Sequence, residues 1–352
     1  MKVKLGDVCE RGTSNLRQSD VVGKGGDYPI YGASGYIGDV DFYHQEKSYV
    51  AIVKDGAGIG RTMLCPEKSS VIGTMQYLLP KDAILPQYLY YVVKYMHLEK
   101  YFSGATIPHI YFKDYKNEQF NLDTLKKQAI IVKILGKCEE VIAARNKQLN
   151  ALDELIQARF VEMFGDPVCN SHDLPEATLP ELGEFGRGVS KHRPRNDSNL
   201  LGGRYPLIQT GDVATSELYI TSYTNTYSEL GLKQSKMWKK GTLCITIAAT
   251  IAKAAILAFD ACFPDSVVGF IANEKTNNVF VHYWFTFFQS ILEAQAPESA
   301  QKNINLKILS ELKIIVPKKE LQDEFVTFVN QVHKSKLVIK NLLQIYKHQI
   351  QM

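Results

Sequence analysis

The sequence predicts an α+β protein of two similar globular domains, each followed by a long α-helix. The two helices are expected to pack as an antiparallel coiled coil with pseudo-twofold symmetry. Three observations predict this. Short motifs recur in one order along the chain, each copy closes on a heptad-spaced run, and the stretches between read as short strands and turns.

The recurrence carries most weight. Leu5-Gly6-Asp7-Val8 returns as Leu182-Gly183-Glu184-Phe185, and Tyr28-Pro29-Ile30 as Tyr205-Pro206-Leu207. Tyr49-Val-Ala-Ile-Val53 returns as Thr242-Leu-Cys-Ile-Thr246, and Val71-Ile72-Gly73 as Val267-Val268-Gly269. His109-Ile-Tyr-Phe112 holds the place that Asn303-Ile-Asn-Leu306 holds later, and Gln128 opens a helical stretch as Gln322 does. The offset drifts from about 177 to about 195, as loop insertions in the second copy require. Matches that are weak singly but ordered together indicate a duplicated unit. The chain has 352 residues, enough for each copy to bury its own core. The expected boundaries are 1–120 and 166–316 for the globular domains, with helical spacers at 121–165 and 317–352.

Each spacer has a heptad seam. From Asp123 to Phe164 the positions Ile131, Leu135, Cys138, Ile142, Arg145, Leu149, Leu152, Ile156, Arg159 and Met163 advance by alternating fours and threes. Asp123 or Thr124 can cap the start, and Gly165 with Pro167 supplies the stop. Some 40 residues at ~1.5 Å each make a rod roughly 60 Å long. In the second copy Pro317 suits a first helical position. Leu321, Phe325, Phe328, Val332, Ser335, Ile339, Leu342 and Tyr346 then repeat the pattern. A seam this long suits two rods packed on each other better than two rods each lying on its own domain.

The globular parts read as strands. Ser48–Lys54 is a buried strand, 55–60 a glycine turn and Arg61–Cys65 a second strand. Leu243–Ile247 and Ala254–Phe259 mirror them around 248–252. Pro86–Tyr101 and Val281–Ala294 are helical and aromatic-rich, and their rings are read as core before base-stacking platforms.

Catalytic chemistry is absent from the pattern. Cys9, Cys65, Cys138, Cys169, Cys244 and Cys262 form no Cys-x-x-Cys pair and no zinc spacing. Asp55-Gly-Ala-Gly-Ile-Gly60 lacks the spacing of a phosphate loop and reads as a tight turn. Pro264-Asp265 with Glu311-Leu-Lys313 echoes a nuclease carboxylate–lysine set too loosely to count. There is no Asn-Pro-Pro-aromatic, Gly-x-Ser-x-Gly or His-Glu-x-x-His motif. No catalytic residue, metal or cofactor is therefore assigned. The N-terminal segment has no apolar signal core and no apolar run reaches membrane length, so a reducing cytoplasm and no membrane are expected.

A net charge of only +4 means that any nucleic-acid partner must be met by local patches. Gly186–Arg195 is such a patch: Arg187, Lys191, Arg193, Arg195 and His192 lie in ten residues without an acid. Arg can grip guanine bidentately, and Lys or Arg can hold phosphates. The first copy has a weaker version in Arg11 to Arg17, with Lys24. Either stretch could equally be an exposed basic loop with no ligand.

At this point the chain resembles a known family, the specificity subunits of type I restriction-modification systems. The resemblance rests on the repeat and rods, on Gly104-Ala-Thr-Ile-Pro-His109-Ile-Tyr-Phe112 leading to Gln128, and on Arg159-Phe-Val-Glu-Met-Phe-Gly-Asp-Pro167. Gly186–Arg195 and Tyr205-Pro-Leu-Ile-Gln-Thr-Gly-Asp212 add to it, so that it covers essentially the whole chain. It implies two target-recognition domains, each reading half of a split sequence in double-stranded DNA. It also implies helical spacers that set the gap between the halves and dock two methyltransferase (modification) subunits, with restriction motor-nuclease subunits joining for cleavage. It gives no individual DNA contacts. Local chemistry selects Arg187, Ser190, Lys191, His192, Arg193 and Arg195, with Gln209 and Thr210 as base-edge readers. In the first copy it selects Arg11, Thr13, Ser14, Arg17 and Tyr31, and Lys54, Arg61 and Lys253 for phosphates. Two rivals stay open: a pseudo-symmetric protein scaffold that never touches DNA, and an enzyme with an unrecognised site.

Overall fold

The structure is a computed structural model. It describes residues 1–352 apart from 22, 105–106, 193, 196, 249–251, 296–305 and 352, with backbone alone for 290–295 and 348–351. The chain divides into two compact units, residues 1–146 with 342–352, and residues 147–341. The division cuts both long helices, where the sequence placed its boundaries at the helix ends.

The first unit runs β1 (Lys2–Lys4), α1 (Leu5–Val8), β2 (Cys9–Thr13), β3 (Tyr28–Gly32), β4 (Gly35–Val40), β5 (Tyr49–Val53), β6 (Thr62–Cys65), β7 (Ser70–Val71), β8 (Met75–Pro80), α2 (Pro86–Tyr95), α3 (Phe112–Tyr115) and β9 (Gln119–Asn121) into α4 (Leu125–Phe164). The strands make a four-stranded sheet in the order β2-β8-β5-β6, a three-stranded sheet β4-β3-β7 and a pair β1-β9. All five residues of β5 are buried, as a run of β-branched and apolar residues covered on both faces should be. Tyr88, Leu89 and Val93 of α2 close one face of this sheet with Val50, Ile52 and Leu78.

The second unit repeats the plan with additions. It runs β10 (Glu176–Ala177), α5 (Leu179–Leu182), β11 (Gly183–Arg187), β12 (Leu201–Leu207), α6 (Thr210–Thr215), β13 (Tyr219–Ile220), β14 (Asn225–Tyr227), α7 (Glu229–Lys233), β15 (Met237–Trp238), β16 (Leu243–Thr246), β17 (Ala254–Leu257), β18 (Ala261–Cys262), β19 (Val267–Ala272), α8 (Asn278–Gln295), α9 (Leu306–Glu311) and β20 (Ile314–Ile315) into α10 (Lys319–Gln351). Its sheets are β11-β19-β16-β17-β13, β14-β12-β18-β15 and β10-β20. Without β13 and β15 these orders equal those of the first unit. The directions match as well: β3–β7 and β12–β18 both run parallel, while β5–β8 and β16–β19 run antiparallel. The elements α6, β13, α7 and β15 are the insertion that the drifting offset announced.

Thr124 caps α4 as expected, its Oγ1 accepting from the Lys127 N–H at 3.4 Å. α10 starts two residues later than the sequence suggested. Pro317 lies outside it, because the Lys318 carbonyl takes the first helical N–H groups and the Pro317 carbonyl accepts from the Gln322 side chain at 2.9 Å.

Within the second unit α4 and α10 pack antiparallel. Phe160 and Phe164 meet Phe325 with ring centroids 5.3 and 5.6 Å apart, and Arg159 pairs with Glu324 at 2.8 Å. Further along, the earlier Asp153 pairs with the later Lys336 at 2.5 Å. On α4, Ile131, Leu135, Ile142, Leu149 and Leu152 are partly buried and Ile156 fully so. On α10 the buried line runs Gln322, Phe325, Val329, Val332, Lys336, Ile339 and Leu343. Leu321 and Leu342 are 40% and 38% exposed, and Phe328 packs at the edge of the core. The sequence pattern was ambiguous because Leu321, Phe328 and Leu342 each lie one residue from a truly inward position.

Candidate nucleic-acid interface

Some of the proposed DNA residues lie at one end of each main sheet, while Arg11, Arg17, Tyr31, Gln209 and Thr210 lie elsewhere. In the second unit the register sets Arg187 opposite Val268, Val268 opposite Ile245 and Ile245 opposite Ala254. Arg187 and Lys253 therefore share an end of the sheet, about 14 Å apart across three strand spacings. The first unit has the same row: Thr13, Gln76, Ile52, Thr62. Thr13, Ser14 and Arg61 stand on it or one residue past it, and Lys54 two residues past it.

The loop after β11 is tied down by its backbone. Gly188 and Val189 donate to the carbonyls of Val267 and Phe263 at 2.9 and 3.1 Å. A side chain on Gly188 would meet the Phe263 carbonyl oxygen at 2.2 Å, so only glycine permits this approach. The Gln234 side-chain oxygen accepts from the N–H groups of Lys191 and His192 at 2.7 and 3.0 Å. Ile208 donates to the carbonyl of Cys262 and Val189 to that of the next residue, Phe263, so Gln209 and Ser190 each follow a tie to neighbouring residues. Thr210 opens α6, with the Gln209 N–H on the Asp212 carboxylate at 2.8 Å.

Not every basic residue is available. Arg195 is held by Asp265, and His192 lies 3.1 Å from Asp197. The Asn199 N–H, with His192 beside it, holds the Asp197 carboxyl below its usual range. Among the described residues Arg187 and Lys191 make no ion pair. Ser190 and Ser14 are buried, at 7% and 6% exposure. Arg193 lies outside the described residues. In the first unit Lys54 is partly buried and paired with Asp55 at 3.1 Å. Arg61 donates to the Ala33 carbonyl at 2.8 Å. Arg11 points outward from β2, and Arg17 is exposed at a turn closed by Asp20. Tyr31 lines a cleft of about 510 Å³ with Tyr36, Tyr90, Tyr91 and Glu139.

Sequence reading missed four residues here: Asp55, His109, Tyr111 and Gln234. His109 reaches Asp55 at 2.7 Å, and Tyr111 stacks beside it with ring centroids 6.3 Å apart. Asp55 lies in a glycine turn and His109 in a motif that marks the repeat and the family resemblance, so neither stands out in the sequence as a site residue. Gln234 was invisible because its partners are 42 and 43 residues away. Among the described residues no group of three His, Cys, Asp or Glu side chains could hold a metal ion, and no helix is long and apolar enough to cross a membrane.

Two units of one strand order, each running into a long helix, define an internally duplicated α+β protein. The chain belongs to the family described as type I restriction modification DNA specificity domain, whose model matches residues 1–154 and again 176–345. It is similar to a Methanocaldococcus jannaschii protein assigned as the type I restriction enzyme MjaX specificity subunit, 24% identical over 345 residues, 87% of this chain and 77% of that one. A second relative from the same organism, the type I restriction enzyme MjaVIII specificity subunit, is 27% identical over 138 residues, 38% of this chain and 32% of its own length. Among solved structures, the type I restriction-modification S subunit from M. genitalium superposes with a TM-score of 0.63 at 16% identity, covering 99% of this chain and 93% of that one. A chain from a study of complex assembly and conformational transition of the type I system gives 0.58, also at 16% identity, covering 100% and 95%. At such identity these two likenesses concern the fold.

Proposed function

We propose that this chain reads a bipartite target in double-stranded DNA, with residues 1–120 and 166–316 each recognising one half. On this reading the helices at 121–165 and 317–352 set the unread gap and dock two methyltransferase subunits, with motor-nuclease subunits joining for cleavage. The chain itself is not catalytic. The observation that carries the reading is the duplication: two heads of one strand order, each running into a long helix.

Affinity comes mainly from phosphate contacts and counterion release, specificity from side chains on base edges. Because Arg195, His192 and Lys54 are partnered within the chain, the free chain has a modest grip that the methyltransferase completes. A gel shift with and without methyltransferase subunits, over a salt series, tests this. Replacing Arg187 and Lys191 by Ala should weaken binding at every sequence and flatten the salt slope by about one unit for each phosphate no longer held. An assembled complex with no dependence on DNA would favour a protein scaffold instead. Methylation or cleavage by the purified chain alone, with S-adenosylmethionine or magnesium, would overturn the non-catalytic reading.

A further inference from the structure

Gln128 and Gln322 do the same thing in the two units. Each is the fourth residue of its long helix and is fully buried. Gln128 donates through Nε2 to the Asp123 carbonyl, five residues back, at 2.8 Å and to the Ala83 carbonyl, three residues before α2, at 2.9 Å. Gln322 donates to the Pro317 carbonyl, also five back, at 2.9 Å and to the Lys275 carbonyl, three residues before α8, at 3.1 Å. The side-chain oxygens also reach matching places. That of Gln128 accepts from the Leu85 N–H and that of Gln322 from the Thr276 hydroxyl, both at 2.9 Å.

Apolar packing is non-directional and tolerates sliding and tilt. A planar amide with three hydrogen bonds to two separate segments does not. In a buried site each bond is strengthened by the low dielectric, and each broken one strands a polar group. The two amides are therefore the directional ties that both joints share between head and helix.

We propose that Gln128 and Gln322 are positioning residues for DNA specificity: they fix the angle at which each head is mounted, and so the number of base pairs accepted between the half-sites. This rests on the bipartite reading above. A head of ~120 residues has a radius of gyration of about 14 Å, so its far edge lies about 25 Å from the joint. A tilt of ~10° there moves that edge about 4 Å, more than one base-pair rise of ~3.4 Å.

The test uses the full chain assembled with its methyltransferase subunits. DNAs carry both half-sites with the gap at its native length or one base pair shorter or longer, and methylation rate is read on each. The wild type should favour the native gap by at least ~100-fold, since simultaneous engagement is lost when geometry forbids it. Gln128→Met, which keeps the volume and removes all three bonds, should cut this preference to about tenfold or less. Gln322→Met should do the same independently. Thr276→Val, which removes a single tie, should show a smaller loss of preference, and Gln128→Glu, which keeps the acceptor but sets an oxygen against the Asp123 and Ala83 carbonyls, should lose as much as Gln128→Met. Equal loss at every gap in all these variants would assign the glutamines to folding alone and overturn the proposal. A wild-type complex that methylates without any two-part target would instead sink the bipartite reading.

Discussion

The two units share a joint between head and helix but reinforce it differently. In the first, the tie beyond Gln128 is solvated: Glu139 of α4 accepts from Tyr91 at 3.0 Å and pairs with Lys94 at 2.9 Å, with side chains 40% and 54% exposed. In the second, the matching stretch is sealed. His333 meets the Tyr283 hydroxyl at 2.9 Å, and Phe160, Phe164, Phe280 and Phe325 form one aromatic cluster. Lys336 is 2% exposed, yet it pairs with Asp153 and with Glu217 of the loop before β13 at 2.5 and 3.0 Å. Glu217 also holds Lys340. The inserted segment α6–β13 thus supplies a carboxylate that the first unit lacks. The duplicated directional tie was kept, while its surroundings diverged into one solvated joint and one sealed one.

That contrast predicts unequal damage from equivalent changes. Phe325→Ala removes a fully buried ring and should destabilise the second unit by about 3–5 kcal/mol. Ile131→Ala, at the matching but half-exposed position of α4, should cost no more than about 2 kcal/mol. Urea unfolding with hydrogen exchange read separately in each unit measures both. Equal losses would mean that the joints are alike after all.

The buried charge sharpens the comparison next. Replacing Asp153 and Glu217 together by Ala strands Lys336 and should cost about 3 kcal/mol, whereas Lys336→Met removes the charge and should cost under ~1 kcal/mol. A Lys336→Met penalty as large as that of the double variant would contradict this.

Acid should separate the units as well. Burial lowers the His282 pKa to about 4 from its ordinary 6.5, with nearby His333 adding to the effect. The unfolded chain takes up this proton first, so stability is complete above pH 6.5 and falls as the pH drops from 6.5 to 4. The loss has an upper bound of about 3 kcal/mol. Burial lowers His333 too. In Glu217, burial raises the pKa but the ammonium groups of Lys340 and Lys336 outweigh it, so its contribution is also lost only in acid. The first unit buries no histidine among its described residues. Thermal unfolding across this range should show the second unit weakening more, and His282→Phe should flatten its profile. The smallest effect belongs to the solvated tie: Glu139→Gln should change first-unit stability by less than ~1 kcal/mol and lose even that in high salt.

Much of this architecture was legible in the sequence. The ordered motifs led to the duplicated sheets because Tyr49–Val53 and Thr242–Thr246 sit at the same place in each copy, where only buried strands fit. The helix limits followed from Thr124 and Gly165, which act locally. The inward face of α10 was harder, since a heptad count cannot separate Phe328 from Val329 or Leu342 from Leu343. Nor could a count anticipate Lys336 inside, as its acids come from Asp153 and Glu217, far away in the chain. The proposed DNA surface was legible as composition, not as availability. The charges on Arg195 and Lys54 looked free in the sequence, and folding gave them Asp265 and Asp55.

The most direct test of the account exchanges residues 1–120 for the corresponding head of another family member, keeps both helices, and maps methylated sites in cells carrying the chimera. Two reading heads at a set separation predict a two-part motif with one half changed, the other half intact and the gap preserved. A chimera that methylates the original motif, or one that changes both halves together, would contradict it.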